Sequence, residues 1–145
     1  MQLARWLHVM GVVVWVGGMF FAHMALRPAV QSLAPPERLP LLAAALSRFI
    51  AWVAVAIVAI LASGAAMLVM AAGAVGYHVH AMIAVGLAMV AIYLYIVAVP
   101  LRTLRAAVAA RDWPRAGGAM PRIRQLVAVN LVLGIAVIAV AYLAR

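Results

Sequence analysis

Histidine and methionine side chains are the residues of this sequence best suited to chemistry, because both can bind transition metals. Histidine occurs at four positions, all in or beside long apolar runs: His8, His23, His78 and His80. Two imidazoles from facing helices can ligate a b-type haem, whereas one or two imidazoles with a methionine sulfur suit copper. The chain has no cysteine, which excludes disulfides, iron–sulfur clusters and thiolate metal sites. A metal ion would therefore be bound by histidine, methionine or oxygen.

The composition places these side chains in a membrane protein. Hydrophobic residues make up 71% of the 145 residues, and Glu37 and Asp112 are the only acids. Such a chain has too few polar residues to cover a soluble domain. The formal net charge is +9, but no basic segment is interleaved with stacking aromatics. We therefore expect no nucleic-acid binding.

Four apolar runs have the length of membrane-spanning helices, which need roughly 20 apolar residues. The predicted spans are residues 3–26, 49–72, 78–99 and 123–143. Residues 73–77 leave only a short connection, so the second and third spans must be antiparallel neighbours. Pro35, Pro36 and Pro40 predict that the segment after the first span is not one uninterrupted helix. The expected fold is all-α, an integral membrane four-helix up-down bundle in which residues 1–145 form a single domain.

The arginines indicate the orientation of this bundle. Nine lie in or beside the first and third connections: Arg27, Arg38, Arg48, Arg102, Arg105, Arg111, Arg115, Arg122 and Arg124. Only Arg5 and Arg145 lie toward the opposite side. Because short arginine-rich loops stay in the cytoplasm, both termini are predicted to be periplasmic. The lipid bilayer is the expected partner, with anionic lipid at the arginine-rich loops, and the sequence is compatible with a homo-oligomer.

This orientation brings several metal-binding residue types to the periplasmic end. His8 lies near the outward end of span one, and His78 and His80 begin span three on the same side. Ionisable groups in a membrane are costly unless paired, so they are functional candidates. Met82 and, as a weaker candidate, Met10 supply sulfur at the same end. We predict a metal site built from these histidines and methionines.

The spacing of small residues predicts how the helices pack. Residues at three- and four-residue intervals share one face of the first span: His8, Gly11, Trp15, Gly18 and Ala22. Small residues let membrane helices approach closely. The same packing role is predicted for one glycine in each of the other spans: Gly64, Gly86 and Gly134.

Two further polar residues lie nearer the cytoplasmic side. His23 and Asn130 are expected at a similar depth in spans one and four. Buried polar side chains of membrane helices often bond a neighbouring helix. We interpret both residues as structural, with a bond between them as one arrangement and a backbone carbonyl as the other partner for His23.

The first span resembles a known family. The stretches Leu7-His8-Val9-Met10 and Val14-Trp15-Val16-Gly17-Gly18-Met19, followed by Arg27-Pro28, resemble the start of the copper resistance protein D (CopD) family of bacterial inner-membrane proteins. The resemblance implies a location in the bacterial inner membrane and a role in copper homeostasis or transport.

The chain also resembles the four-helix haem-dependent protoporphyrinogen oxidases. Their third helix begins with an aromatic residue, a histidine and then a small residue before a lysine; here the stretch is Tyr77-His78-Val79-His80-Ala81-Met82. The resemblance implies that His8 and His80 are haem ligands and puts Met82 in the place of the lysine. A thioether cannot bind carboxylates or move protons as a lysine can, which favours copper. Helical periodicity, however, places His78, Met82 and Met89 on one face and His80 nearly opposite.

Three functions remain open at this point. The leading hypothesis is a copper homeostasis or transport protein with a periplasmic site of His8, His78 or His80, Met82 and Met10. The alternative is a haem b redox protein with His8 and His80 as axial ligands. The third is an ancillary membrane subunit. We favour a non-enzymatic role; an enzyme of this layout would be a haem-dependent oxidoreductase.

Overall fold

The described residues form a bundle of long helices. The computed structural model describes residues 1–72 and 75–143. Its helices are α1 (Gln2–Ala29), α2 (Pro35–Met70), α3 (Tyr77–Ala98), α4 (Pro100–Ala109) and α5 (Trp113–Leu143). The described residues contain four membrane-length apolar helices, counting α3 and α4 as one span. The predicted all-α, four-helix membrane fold is confirmed.

The helices run alternately up and down. His8 of α1 meets Ser63 of α2, whereas Gly18 lies against Phe49, so these two helices are antiparallel. The start of α1, the end of α2, the start of α3 and the end of α5 therefore lie together, and we call this the histidine end. The opposite end contains the α1–α2 connection, α4 and the start of α5. We call it the arginine end, because the nine clustered arginines lie toward it.

The prolines before the second span do not act as predicted. Helix α2 begins at Pro35 and continues through Pro40, so the prediction of an interrupted segment is wrong beyond residues 30–34. Proline in the first helical turn lacks only an amide hydrogen that would have no helical partner there. Pro40 removes one helical hydrogen bond, and Leu39 beside it is 2% exposed. Packing of this turn compensates for the missing bond.

Helical structure extends beyond the membrane at the arginine end. A helix of 36 residues, the length of α2, spans about 54 Å, against about 30 Å for the hydrocarbon core. Between the third and fourth spans, α4 begins at Pro100 and buries Leu101, Leu104 and Ala107. Asp112 caps the start of α5 by accepting a hydrogen bond from the Arg115 amide at 3.1 Å. The arginine-rich connection is thus largely helical.

Interactions in the middle of the bundle join all four spans. The rings of Trp15 and Tyr93 meet edge to face with centroids 6.5 Å apart, which links α1 to α3. The Tyr93 hydroxyl donates to the Ile50 carbonyl of α2 at 3.2 Å. Asn130 of α5 donates from Nδ2 to the Met89 carbonyl of α3, also at 3.2 Å. These contacts fix the helices relative to one another where the lipid provides no hydrophobic driving force.

Glycines set the close approach of α1 to α2. A Cβ on Gly11 would lie 2.7 Å from Ile60 Cγ1 and 3.0 Å from the Ala56 carbonyl oxygen. Gly18 meets the Phe49 ring. The predicted packing role is therefore confirmed for these two positions, which share a face with His8.

The glycines predicted to pack in the other spans differ from one another. Gly134 packs against Val16 and Met89, and Gly64 lies under the His8 ring. A Cβ on Gly86 would meet no atom within 4 Å, so the packing prediction is wrong there.

Candidate metal site

His8 is held between α1 and α2 by two acceptors on the second helix. Its Nδ1 lies 3.1 Å from the Ile60 carbonyl oxygen and 3.2 Å from Ser63 Oγ. Ser63 is 5% exposed, and its hydroxyl also contacts the carbonyl oxygens of Ala59 and Ile60. The His8 ring is only partly buried, so it is oriented without being enclosed.

These contacts determine the tautomer of the neutral imidazole. A carbonyl oxygen can only accept a hydrogen bond, so Nδ1 of His8 must carry the hydrogen that faces Ile60. The Ser63 hydroxyl has one proton and directs it at its own helix, which leaves its oxygen to accept from His8 as well. Nε2 then carries the free lone pair. This is the arrangement of metal-binding histidines, whose other ring nitrogen donates to a carbonyl.

The start of α3 presents its two histidines differently. His80 is exposed, and its Nδ1 lies 3.3 Å from the Gly76 carbonyl oxygen, one turn earlier in the chain. His78 is partly buried and lies beside Gly76. Met82 is partly buried too, and Met89 farther along is 4% exposed. His78, Met82 and Met89 thus occupy the less exposed side of α3, as the helical periodicity predicts, and His80 the other.

The predicted ligands differ in what they contact. The described contacts of the His8 imidazole are with α2, whereas those of the α3 histidines are within their own turn. Met10 is 40% exposed. Among residues 1–72 and 75–143, no three histidine, aspartate or glutamate side chains lie close enough to form a metal cluster.

Ser63 is a site residue that the sequence analysis missed. It is the only hydroxyl-bearing residue in the predicted span 49–72, and a lone polar residue in an apolar helix is a signal of a polar partner. The histidine pattern indicates ligand chemistry but does not indicate which group orients the ring. Gly64, interpreted only as a packing residue, also belongs to this site because it makes room for the ring.

The two residues interpreted as structural have separate environments. Asn130 is 2% exposed and bonds the Met89 carbonyl rather than His23. Its Oδ1 atom is buried without a hydrogen-bond partner among the described residues. His23 instead lines a cavity at the arginine end with Arg122, Arg124 and other residues of α5. Asn130 and His23 do not bond each other.

Comparison with known proteins identifies the family. Residues 43–144, more than two thirds of the chain, match the model of the family described as copper resistance protein D. The chain belongs to this family. Together with the four membrane-length helices, the copper resistance protein D match makes it a copper-resistance-related multi-pass membrane protein. No curated protein and no solved structure gives a significant match.

The matched range divides the candidate site. Ser63, His78, His80 and Met82 lie inside it, whereas His8 and Met10 precede it. The resemblance of the first span to the copper resistance protein D family therefore depends on the stretches around His8 and Trp15. The geometry of His8 against α2 is independent support for treating α1 as part of the site.

Proposed function

We propose that this protein binds copper at the periplasmic end of its bundle, in the inner membrane, as part of copper homeostasis or transport. The ligands are His8, His78 or His80, and Met82, with Met10 as a weaker contributor. The observation that carries the proposal is the pair of bonds from His8 Nδ1 to the Ile60 carbonyl and Ser63. They leave Nε2 as a metal ligand fixed in orientation.

The ligand chemistry supports copper over other metals. No acidic or thiolate group accompanies the histidines at this end, and Glu37 and Asp112 lie at the arginine end. Imidazole with thioether sulfur is a copper ligand set, and soft sulfur favours Cu(I) in particular. The partial burial of both His78 and Met82, one turn apart on α3, makes His78 the favoured second imidazole.

The charge distribution supports the orientation. The arginines lie toward the arginine end of the bundle. Because short basic loops stay on the cytoplasmic side of a membrane, the arginine end faces the cytoplasm in this proposal. The histidine end then faces the periplasm. A periplasm-active reporter fused after residue 145 should be active, and a cytoplasm-active reporter there silent; the reverse pattern would place the site on the cytoplasmic side and contradict the orientation.

Copper binding is tested on the full chain in detergent by titration of Cu(I) against a chelator of known affinity. His8→Ala should weaken binding by at least on the order of a hundredfold, because losing a group that only orients a ligand already costs about 10–100-fold. His23→Ala is the matched control, because it removes a partly buried histidine from the same helix at the arginine end. Equal losses in both variants, or no binding by the unaltered chain, would contradict the copper site and leave the haem b and ancillary roles.

A haem b protein is the second candidate, and one observation favours it. His8 and His80 both place Nδ1 near a backbone carbonyl oxygen, which leaves Nε2 of each for an axial bond. Haem bound in this way would supply electron transfer, and the protein's part would be to hold the two imidazoles. The visible spectrum separates the candidates: a Soret band that shifts on reduction and disappears in His8→Ala establishes haem, and its absence from protein expressed with haem excludes it.

A further inference from the structure

A cavity lies at the arginine end of the bundle, away from the candidate metal site. It has a volume of about 560 Å³ and lies between α1 and α5, within the size range of small-molecule sites. His23 lines it from α1, and Arg122, Arg124 and Gln125 line it from α5. We propose that this cavity binds the phosphate-containing headgroup of an anionic phospholipid.

The chemistry of the lining selects an anion. Two arginines, a histidine and a glutamine line the cavity, and the described lining residues include no acid. Guanidinium groups match phosphate oxygens in geometry and form charge-assisted hydrogen bonds with them. The Arg122 guanidinium also lies 5.7 Å from the centre of the Tyr95 ring, which limits its positions before any ligand arrives.

Local backbone features keep the cavity open. His23 lies in a π-helical stretch, Ala22–Leu26, a widening of the helix that is frequent at functional sites. Gly118 lines the cavity, and a Cβ there would meet no atom within 4 Å. Pro121 also lines it, and its missing amide hydrogen leaves the Gly117 carbonyl without the usual helical donor. These three departures from a regular, closely packed helix occur at one level of the bundle.

The surroundings favour a lipid over a soluble anion. Toward the membrane centre from His23, α1 exposes Phe20 and Phe21 at 55% and 59%. Beyond Gln125, α5 exposes Val129 and Val132 at 45% and 65%. The polar cavity therefore continues into apolar surface on both helices. An amphiphile with a charged head and acyl chains fits this sequence of environments, and anionic lipids are enriched on the cytoplasmic leaflet that the arginine end is expected to face.

The test is lipid binding by the full chain in a neutral detergent, measured by native mass spectrometry with phosphatidylglycerol and with phosphatidylcholine. One phosphatidylglycerol should bind, at least about tenfold more tightly than phosphatidylcholine, in line with the strength of charge-assisted bonds. Equal binding of the two lipids would overturn the proposal. Inorganic phosphate forms a separate arm: if it binds at the cavity and phosphatidylglycerol does not, the site takes a soluble anion and the lipid proposal is wrong.

Two matched pairs of variants locate the binding. Gly118→Leu fills the cavity from a position with open space and should abolish selective binding. Gly117→Leu places the same side chain on the preceding residue, which is also open but does not line the cavity. Arg124→Gln should weaken phosphatidylglycerol about tenfold. Arg111→Gln, an exposed arginine outside the cavity, should change it less than about twofold in detergent with salt. Equal effects within either pair would show nonspecific attraction and contradict the site.

Discussion

His8 and the histidines of α3 lie at the same end of the bundle but are held in different ways. The His8 imidazole contacts Ile60 and Ser63 of another helix, more than 50 positions away in sequence. His80 contacts the carbonyl of Gly76, four residues before it. The first imidazole is oriented by the packing of α1 on α2, and the second moves with its own helical turn. Burial in an apolar helix and orientation by a neighbouring helix are therefore separate properties, and His8 has both in part.

The largest expected effect separates the two histidines of α3. His78→Ala should weaken Cu(I) binding by on the order of a hundredfold, because the partly buried His78 shares its side of the helix with Met82. His80→Ala, which changes an exposed side chain two residues away, should weaken it less than about threefold, as expected of a group that is not a ligand. Chelator competition measures both. The opposite ranking would show that the site uses the exposed side of α3 and would favour pairing of His8 with His80.

Gly11 tests whether the α1–α2 packing orients His8. A Cβ there would lie 2.7 Å from Ile60 and 3.0 Å from the Ala56 carbonyl, so Gly11→Ala should destabilise the fold by about 2 kcal/mol through overpacking. Copper binding should weaken with it, because Ile60 provides the acceptor for His8. Thermal unfolding in detergent gives the stability.

Gly17→Ala is the control for Gly11→Ala. It lies in the same helix with no atom within 4 Å of its Cβ position, and replacing a helical glycine by alanine otherwise stabilises by about 0.5–1 kcal/mol. The two variants should therefore change the unfolding temperature in opposite directions. If Gly17→Ala loses as much stability as Gly11→Ala, close packing of α1 on α2 is not the cause of the loss in Gly11→Ala.

Replacing Ser63 is expected to have a smaller effect than replacing His78 or Gly11. Ser63→Ala removes one of two acceptors of His8 Nδ1 and leaves the Ile60 carbonyl in place. Copper affinity should fall by about tenfold, the lower end of the effects seen for groups that orient metal ligands. Ser47→Ala removes a hydroxyl from α2 near the arginine end and should leave copper affinity unchanged. If the two serine variants behave alike, Ser63 does not orient His8.

The sequence predicted the fold well because the membrane imposes it. Four apolar runs of about 20 residues can only be helices that cross the bilayer, and the short turn before Tyr77 makes two of them antiparallel. The limits of α2, α4 and α5 at the arginine end were less predictable. There, water rather than lipid surrounds the chain, so apolar length no longer marks the helix, and α4 depends on packing of Leu101 and Leu104.

The candidate site was predictable in its residue types but not in its contacts. The spacing of His8, Gly11 and Gly18 gave the correct face of α1, because small residues and the histidine share one helix neighbour. It could not give the acceptors, since the Ile60 carbonyl is a backbone atom and every residue has one. Asn130 illustrates the same limit: its bond to the Met89 carbonyl depends on the register of α3 against α5, which no side-chain pattern encodes.

Replacing Gly64 by alanine should have the smallest effect on copper affinity, and comparing alanine with leucine at this position tests where the His8 ring lies. A Cβ on Gly64 would lie 3.5 Å from His8 Cε1 and 3.7 Å from Nδ1, both ordinary van der Waals distances. Gly64→Ala should therefore leave copper affinity within about twofold, since filling open contact space costs little. Gly64→Leu extends the side chain into the ring and should displace it from Ile60. If Gly64→Ala weakens copper binding as strongly as Gly64→Leu, the His8 ring must move into the space beside Gly64 when copper binds. The orientation of His8 against α2 would then belong to the metal-free protein alone.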